Sequence, residues 1–388
     1  MLTREPPASE NQMIAGTHRG GRTVAAFPIQ PEQLSSEWFT KTLRASGKLA
    51  STNEVSGFEV GFIGDGVGLL GMVLRVSLKY ARAEGAGPAS VVIKFAHPVP
   101  ENRAIAANLN MYEREVTFFN EIAPEVSTPK PDCYFAAMDY DNGSNIVVLE
   151  DLNQYRAGDQ VKGISVDEAK MVIDALAPLH AKYWGKYEGK FKNMMQINTS
   201  YVEPFVPSVE GTWQPALANF GYCMTQELRD NIEHYVKSLR RIHQLMAERT
   251  MTVIHGDARM DNAMFGDGKP GLKPVVLVDW QAIMISNPLQ DIAWMLATGI
   301  DTKVRREQEE NLLAYYVAAV EKHGVKGYSL EQCIDDYNVG VLFLLSYPII
   351  IAGAFDPANA RGKELAEEGL RRHSATVEDR QLLRYIAR

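Results

Sequence analysis

The sequence predicts an α+β protein of two lobes, on three observations: a strand-patterned first part, a helix-patterned remainder, and a length that one core rarely fills. The chain has 388 residues, 46% of them hydrophobic, enough to bury a sizeable core in more than one unit. From about Ser56 to Ile146 short apolar runs alternate with Gly and Pro punctuation, and after Leu152 the apolar period becomes helical. The expected organisation is a flexible arm over residues 1–30, an N-terminal lobe over 31–151 with an antiparallel sheet plus a helix, and a larger, mostly helical C-terminal lobe over 152–388. The last contains an insertion at about 184–250.

The arm is rich in Gly, Pro and polar residues and lacks the apolar core of a signal peptide. Met72 to Tyr80 then alternates cleanly, with Leu74, Val76, Leu78 and Tyr80 on one face and Val73, Arg75, Ser77 and Lys79 on the other, which is a half-buried strand. Ser90 to Phe95 is a second strand, Asn108 to Ile122 a helical stretch, and Asn145 to Leu149 a strand running into Glu150-Asp151-Leu152, where the lobe boundary is placed. Val166 to Trp184 follows as an amphipathic helix with Ala169, Val172, Ile173, Leu176, Leu179 and His180 on one side. Val339 to Phe355 is apolar but short for a membrane span and carries Ser346 and Pro348, so a buried helix ending near Pro348 is expected and no membrane partner.

A net charge of -8 and the lack of any Lys/Arg run disfavour a nucleic-acid partner. Cys133, Cys223 and Cys333 are far apart and form no metal or disulfide pattern, which fits a reducing cytoplasm.

Gly66-Val67-Gly68-Leu69-Leu70-Gly71 satisfies the dinucleotide fingerprint GxGxxG as a string. That fingerprint needs a helix directly after the glycines so that a pyrophosphate meets the helix N-terminus, and here the alternating strand follows instead. A glycine turn between two strands suits a loop whose bare backbone approaches nucleotide phosphates, with Gly64, Gly66 and Gly68 as the glycines concerned. Lys94 lies within the apolar strand Val91-Val92-Ile93-Lys94-Phe95, where a charge needs a partner such as a phosphate. Glu115 on the next helical stretch can complete an ion pair that aims the ammonium at the α- and β-phosphates, with Glu113 and Glu121 as rivals.

The strongest constellation is Thr252-Val253-Ile254, an apolar strand delivering His255-Gly256-Asp257 onto a loop, with Asn262 at the spacing D-x-x-x-x-N. Phosphoryl transfer asks the protein mainly to orient a hydroxyl, neutralise phosphate charge and hold the groups in line. Asp257 is assigned the hydroxyl proton and Asn262 a place on Mg²⁺. The strand Val275-Val276-Leu277-Val278 then ends in Asp279, a hard oxygen ligand suited to the same cation.

With these residues in order, the chain resembles the aminoglycoside phosphotransferase and choline kinase group of kinase-like enzymes over about residues 57 to 350. HGDARMDNAMF resembles the HGDxRxDN form of bacterial small-molecule phosphotransferases, and VVLVDWQ their metal-binding strand. The resemblance implies a bilobal protein-kinase-like fold, ATP and Mg²⁺ as cofactors, and adenine contacts from the Glu150-Asp151-Leu152 connector. It also implies a supporting role behind the catalytic loop for Asp291 in Asn287-Pro288-Leu289-Gln290-Asp291, as for His255. Arg259 and Asp261 resemble frequent family residues to which no chemical step is assigned.

Only Trp280 to Gln290 separates Asp279 from Asp291, too short for the peptide-binding segment of a protein kinase. The acceptor is therefore expected to be a small-molecule alcohol. Aromatics of the insertion (Trp184, Tyr187, Phe191, Tyr201, Phe205, Trp213, Phe220, Tyr222) are expected to wall its pocket, and from Trp184 to Gln226 Lys and Glu residues balance. This favours an uncharged or apolar alcohol, steroid-like or hydroxyacyl, and the ecdysteroid-kinase-like or hydroxyacyl-CoA-kinase-like branches. A nucleotide-binding module without turnover and an aminoglycoside or amino-alcohol kinase are the alternatives.

Overall fold

The sheet of the first unit follows from alternation. In a computed structural model, which describes residues 17–18, 22–23, 26–67, 71–189, 191, 194–357 and 359–386, the chain divides into two units, Met1–Asn120 with Pro131–Asp151 and Glu121–Lys130 with Leu152–Arg388. In the first, a two-residue pair β1 (Thr17–His18) and β2 (Arg22–Thr23) precedes α1 (Ser36–Ala45). Five antiparallel strands then make one sheet: β3 (Val55–Val67), β4 (Gly71–Tyr80), β5 (Ser90–Ala96), β6 (Cys133–Met138) and β7 (Asn145–Glu150), in the spatial order β3-β4-β5-β7-β6. Leu74, Val76 and Leu78 of β4 are buried with Val91, Ile93 and Phe95 of β5 and Ile146 and Val148 of β7, against Trp38, Phe39 and Leu43 of α1. Phe27 joins this core, fully buried with its ring 6.3 Å from that of Phe135, so the arm expected over 1–30 is anchored at its end.

The alternation fixes Lys94 as well. It pairs with Val73 on one side and Val147 on the other, and lies on the face opposite Ile93 and Phe95 because strand side chains alternate. The helical stretch expected over Asn108 to Ile122 is shorter and broken. α2 (Pro100–Asn108) ends first, Asn110 turns left-handed at φ 51°, and α3 (Met111–Thr117) passes into one π-helical turn, Phe118–Ile122.

The second unit is helical, with small sheets that carry the motifs. Ser165 and Glu168 form a reciprocal cap on α4 (Val166–Lys182), which satisfies N-terminal amides and fixes where the helix begins. After β8 (Arg156–Ala157) and α4 come α5 (Val202–Phe220), α6 (Gln226–Lys237) and α7 (Leu239–Ala247). β9 (Thr252–Ile254) pairs with β12 (Met284–Ser286), while β10 (Ala263–Phe265) lies between β8 and β11 (Val275–Leu277). α8 (Leu289–Ala293), α9 (Thr302–Lys322), α10 (Leu330–Leu344), α11 (Ser346–Gly353) and α12 (Ala360–Asp379) complete the unit.

The apolar stretch expected to end near Pro348 instead breaks at Leu345. Pro348 sits in the first turn of α11, where no intrahelical N–H bond is needed. Leu330–Gly353 has the length and composition to cross a membrane, but most of it is buried within the unit, as a core helix pair is.

Candidate active site

The loop after β9 is held by a carboxylate beneath it. Asp291, on α8 and fully buried, accepts the backbone amides of His255 at 2.7 Å through Oδ2 and of Gly256 at 2.9 Å through Oδ1. His180 of α4, also fully buried, adds its Nε2–H to Asp291 Oδ2 at 3.1 Å, and Tyr316 meets its Nδ1 at 3.0 Å. Three donors on one buried carboxylate make a rigid seat. Gly256 is required there: its φ is 83°, and a Cβ would stand 2.1 Å from the Ala282 carbonyl oxygen. His255 Nε2 donates to the Val278 carbonyl at 3.0 Å, its Nδ1 receives the Asp257 amide at 3.3 Å, and its ring packs 4.5 Å from Trp280. His255 therefore ties the loop to the chain just before Asp279.

Asp257 lies at the exposed end of this frame, its side chain about a quarter accessible. Asn262 Nδ2 donates both to the Asp257 carbonyl at 2.9 Å and to its Oδ2 at 3.1 Å. With its NH₂ committed, the Asn262 side chain has Oδ1, a hard neutral oxygen, to offer a cation. Val278 donates its amide to the Asn262 carbonyl at 2.9 Å, linking the two motifs. Burial pushes the Asp257 carboxyl up from the ordinary aspartate range; Arg259, with Nε 3.5 Å from Oδ2, opposes this, and Asp279 adds to it. Asp279 itself is left-handed, φ 65° and ψ 65°, an uncommon conformation for a residue with a Cβ and one that turns the chain sharply after β11. Gln281 Nε2 donates to Asp279 Oδ2 at 3.2 Å. Among the described residues no group of three His, Cys, Asp or Glu side chains forms a metal cage. One carboxylate and one amide oxygen instead suit a Mg²⁺ that keeps waters and phosphate oxygens as its other ligands.

In the first unit Lys94 Nζ meets Glu115 Oε1 at 2.6 Å, with side-chain exposures of 18% and 3%. Of the rivals, Glu113 is also buried, while Glu121 is exposed. Glu150 closes β7, its amide donating to the Asp132 carbonyl and its carboxylate accepting the Asp132 amide. Asp151, whose side chain is buried, accepts Arg75 Nε at 2.8 Å and Ser90 Oγ at 2.6 Å, which fixes the end of the sheet. Leu152 is buried at the start of the second unit. Gly64 and Gly66 belong to β3, which pairs Val67 with Met72 of antiparallel β4; Gly68 lies outside the described residues. The strands on either side of the string, β3 and β4, are antiparallel, and among the described residues the sheet contains no parallel βαβ unit of the dinucleotide-binding kind.

Three residues behind the loop escaped sequence reasoning. His180 was expected only as part of an apolar helix face, Tyr316 carried no signal, and Gln160 sits in a turn. Gln160 is buried, and its Oε1 accepts the Met260 amide at 2.7 Å. A histidine on an apolar stripe was the one usable sign, since a buried imidazole needs two partners.

The aromatic insertion departs from expectation. Tyr201 and Phe205 stack at 4.9 Å and pack with His243, Phe343 and Tyr347 in the unit's own core. Trp184 leans on Tyr328, Phe191 on Tyr183 and Phe220 on Phe355. Tyr222 is exposed and donates its hydroxyl to Glu367. Packing against aromatics elsewhere in the same unit accounts for Trp184, Phe191, Tyr201, Phe205 and Phe220.

Comparison with known proteins supplies the family. The ecdysteroid kinase-like family model matches residues 65–326. Among solved structures, a microcompartment-associated aminopropanol kinase is similar with a TM-score of 0.53 and 12% identity, over 90% of this chain and 99% of that one. Choline kinase from Cryptosporidium parvum is similar with a TM-score of 0.52 and 11% identity, over 90% and 98%. At such identities the likeness shows the fold, the bilobal α+β protein-kinase-like one. A curated relative, an uncharacterized oxidoreductase dhs-27 of Caenorhabditis elegans, is 23% identical over 358 residues; the match takes in 84% of this chain but spans only 43% of that protein's length. The chain belongs to the ecdysteroid kinase-like family.

Proposed function

We propose that the chain transfers the γ-phosphoryl group of ATP, bound with Mg²⁺, to the hydroxyl of an uncharged or apolar small molecule, steroid-like or hydroxyacyl. The observation that carries this reading is Asp257 itself: a carboxylate on a loop seated by Asp291, oriented by Asn262, and still open at one end. Asp257 orients the acceptor hydroxyl and takes its proton as the acceptor oxygen bonds to the γ-phosphorus. The bond from that phosphorus to the β,γ-bridging oxygen breaks, and ADP leaves with the electron pair. The raised Asp257 pKa makes it a better proton acceptor than a surface aspartate. Asn262 and Asp279 are the residues to hold Mg²⁺, which when bound neutralises charge on the phosphate oxygens.

On the nucleotide side, Lys94, steadied by Glu115, takes the α- and β-phosphates. Backbone groups of Gly64, Gly66 and Gly68 cover them, and those of Glu150 and Leu152 take the base. Residues 31–151 then act as the nucleotide-covering lobe and 152–388 as the transfer and acceptor lobe. The acceptor class is supported by the family and by local charge matching in the insertion, where Glu203 pairs with Arg240 and Glu233 with Lys237. A coupled ADP-release screen across sterols, hydroxyacyl thioesters, amino alcohols and sugars, with and without Mg²⁺, tests it. Stimulation by an apolar alcohol that disappears in Asp257→Ala is expected; unchanged turnover in that variant overturns the assignment, and stimulation by a polycation alone overturns the acceptor class.

A further inference from the structure

The geometry points to a positioning network that runs from the C-terminal helix through Gln160 to the catalytic turn, and it gives Asp261 a role. It rests on the proposed parts of Asp257 and Asn262, and uses only groups of the second unit. The turn Met260–Asn262, which carries Asn262, is gripped at two successive residues by Gln160. Gln160 Oε1 accepts the Met260 amide at 2.7 Å, and the Gln160 backbone N–H donates to Asp261 Oδ1 at 3.1 Å. The Gln160 Nε2 is spent on Thr298 Oγ1 at 2.6 Å, so both ends of the side chain are fixed. Backbone approaches closely here too: the Gly158 amide donates to the Ala263 carbonyl at 2.8 Å, and a Cβ on Gly158 would stand 2.2 Å from the Met260 oxygen.

What holds Gln160 is α12. Arg372, buried, donates through Nη1 to the carbonyls of Gln160 at 3.0 Å and Thr298 at 2.9 Å, and through Nη2 to that of Val161 at 2.7 Å. Arg361, at the start of the same helix, bridges Asp159 at 2.8 Å and Asp261 at 3.3 Å. A rigid, planar guanidinium on three carbonyls sets their positions closely. α12 lies wholly beyond the residues that the family model matches. Gln160, Asp261, Arg361 and Arg372 are therefore positioning residues: they fix the turn, the turn fixes Asn262, and Asn262 orients Asp257. Misplacing a reacting group by an ångström costs up to about 100-fold in rate.

The test uses the full chain with Mg-ATP, water serving as acceptor, and follows ADP release together with hydrogen exchange of the peptides over 255–263. Gln160→Met keeps the side chain's length and removes both of its amide bonds. It is expected to lower kcat about 10-fold with KM for ATP within about twofold, and to speed exchange over 259–263 but not over 252–254. Adding Asp261→Ala to it is expected to cost no more than about a further twofold in kcat, because both act on one turn. A folded Gln160→Met enzyme with native kcat overturns the inference. Should that variant not fold, Arg361→Gln and Asp261→Asn change the more exposed end of the same network. Each is expected to lose about threefold in kcat, with Arg361→Lys restoring part of it, and native kcat in both overturns the inference equally. Asp257→Ala run alongside separates the two levels: turnover there removes the proposed function, whereas an inactive Asp257→Ala beside an unaffected Gln160→Met removes only the network.

Discussion

The loop of Asp257 and the strand of Lys94 solve the same problem, holding one charged side chain in place, by different means. Asp257 stands on backbone: the amides of His255 and Gly256 are bound by Asp291, that of Met260 by Gln160, and the carbonyl of Asn262 by Val278. The backbone of Lys94 is held in the sheet between Val73 and Val147, but its ammonium rests on a side-chain pair, with Glu115 on a seven-residue helix that starts left-handed and ends in a π turn. Backbone bonding fixes position to a fraction of an ångström and survives few substitutions, because every displaced amide leaves a buried group unpaired. An ion pair of long side chains fixes charge more than position. On the proposed roles, the contrast would give precise alignment to the transfer step and a more tolerant grip to the nucleotide.

The largest effect expected from this contrast is at Asp257. Asp257→Ala is expected to lower acceptor-stimulated ADP release by about 10³-fold in a protein whose circular dichroism is native. A loss below tenfold would break the assignment of proton transfer to this loop.

Next comes the acid sensitivity of the second unit. Burial pushes the imidazoles of His243 and His373 down to about 4 from 6.5. Both are depressed in the fold, so their neutral forms stabilise it fully above pH 6.5, and this contribution is lost as pH falls towards 4. Each accounts for about 3 kcal/mol over that window. Urea unfolding at pH 7, 5.5 and 4 is expected to show midpoints falling steeply below 6.5, with a shallower fall in His243→Gln. A flat profile would show that the rigidity of this unit does not depend on those rings staying neutral.

Smaller again is the effect on the nucleotide side. Glu115→Gln keeps the shape and removes the counter-charge of Lys94, and is expected to raise KM for ATP about tenfold. Hydrogen exchange over 255–263 is expected to stay native, since none of the bonds that seat Asp257 involves Glu115. Accelerated exchange there would mean that the two sites are less independent than their bonding indicates.

The smallest effect again concerns Asp257, now through stability. Its carboxyl is pushed up by burial, so the protonated form suits the fold. The associated stability is present below the ordinary aspartate value of about 3.9 and lost as pH rises through the raised one. Asp257→Asn is therefore expected to melt about 2–4 °C above the native protein at pH 7, a difference that closes as the pH approaches 4. Equal melting temperatures at both pH values would show that the loop bears the charge without cost.

What the sequence made legible was local. His255, Gly256, Asp257 and Asn262 lie within eight positions of one another after an apolar strand, and Asp279 ends the next, so spacing alone brought them together. Alternation in β4 fixed which face is buried, and the placement of Lys94 in a strand followed. Bonds across long separations were not legible: Gln160 to Met260 spans 100 positions, and Arg372 to Gln160 spans 212. A glutamine in a turn and an arginine on a helix have too many surface uses for composition to mark them. The insertion aromatics misled for a related reason. Hydrophobic residues report that something is covered, not what covers it, and Tyr201 and Phe205 are covered by Phe343 and Tyr347.

The stretch from Asp279 to Asp291 is fully employed: a 3-10 turn over Trp280–Ala282, then β12, whose residues pair with the strand that leads into the catalytic loop. A protein kinase keeps at this point the segment on which other enzymes write its on and off states. Here the same interval is taken up by a turn and by a strand paired with the one that precedes His255. On the proposed function, throughput would then follow the supply of nucleotide and alcohol rather than a segment thrown between two states.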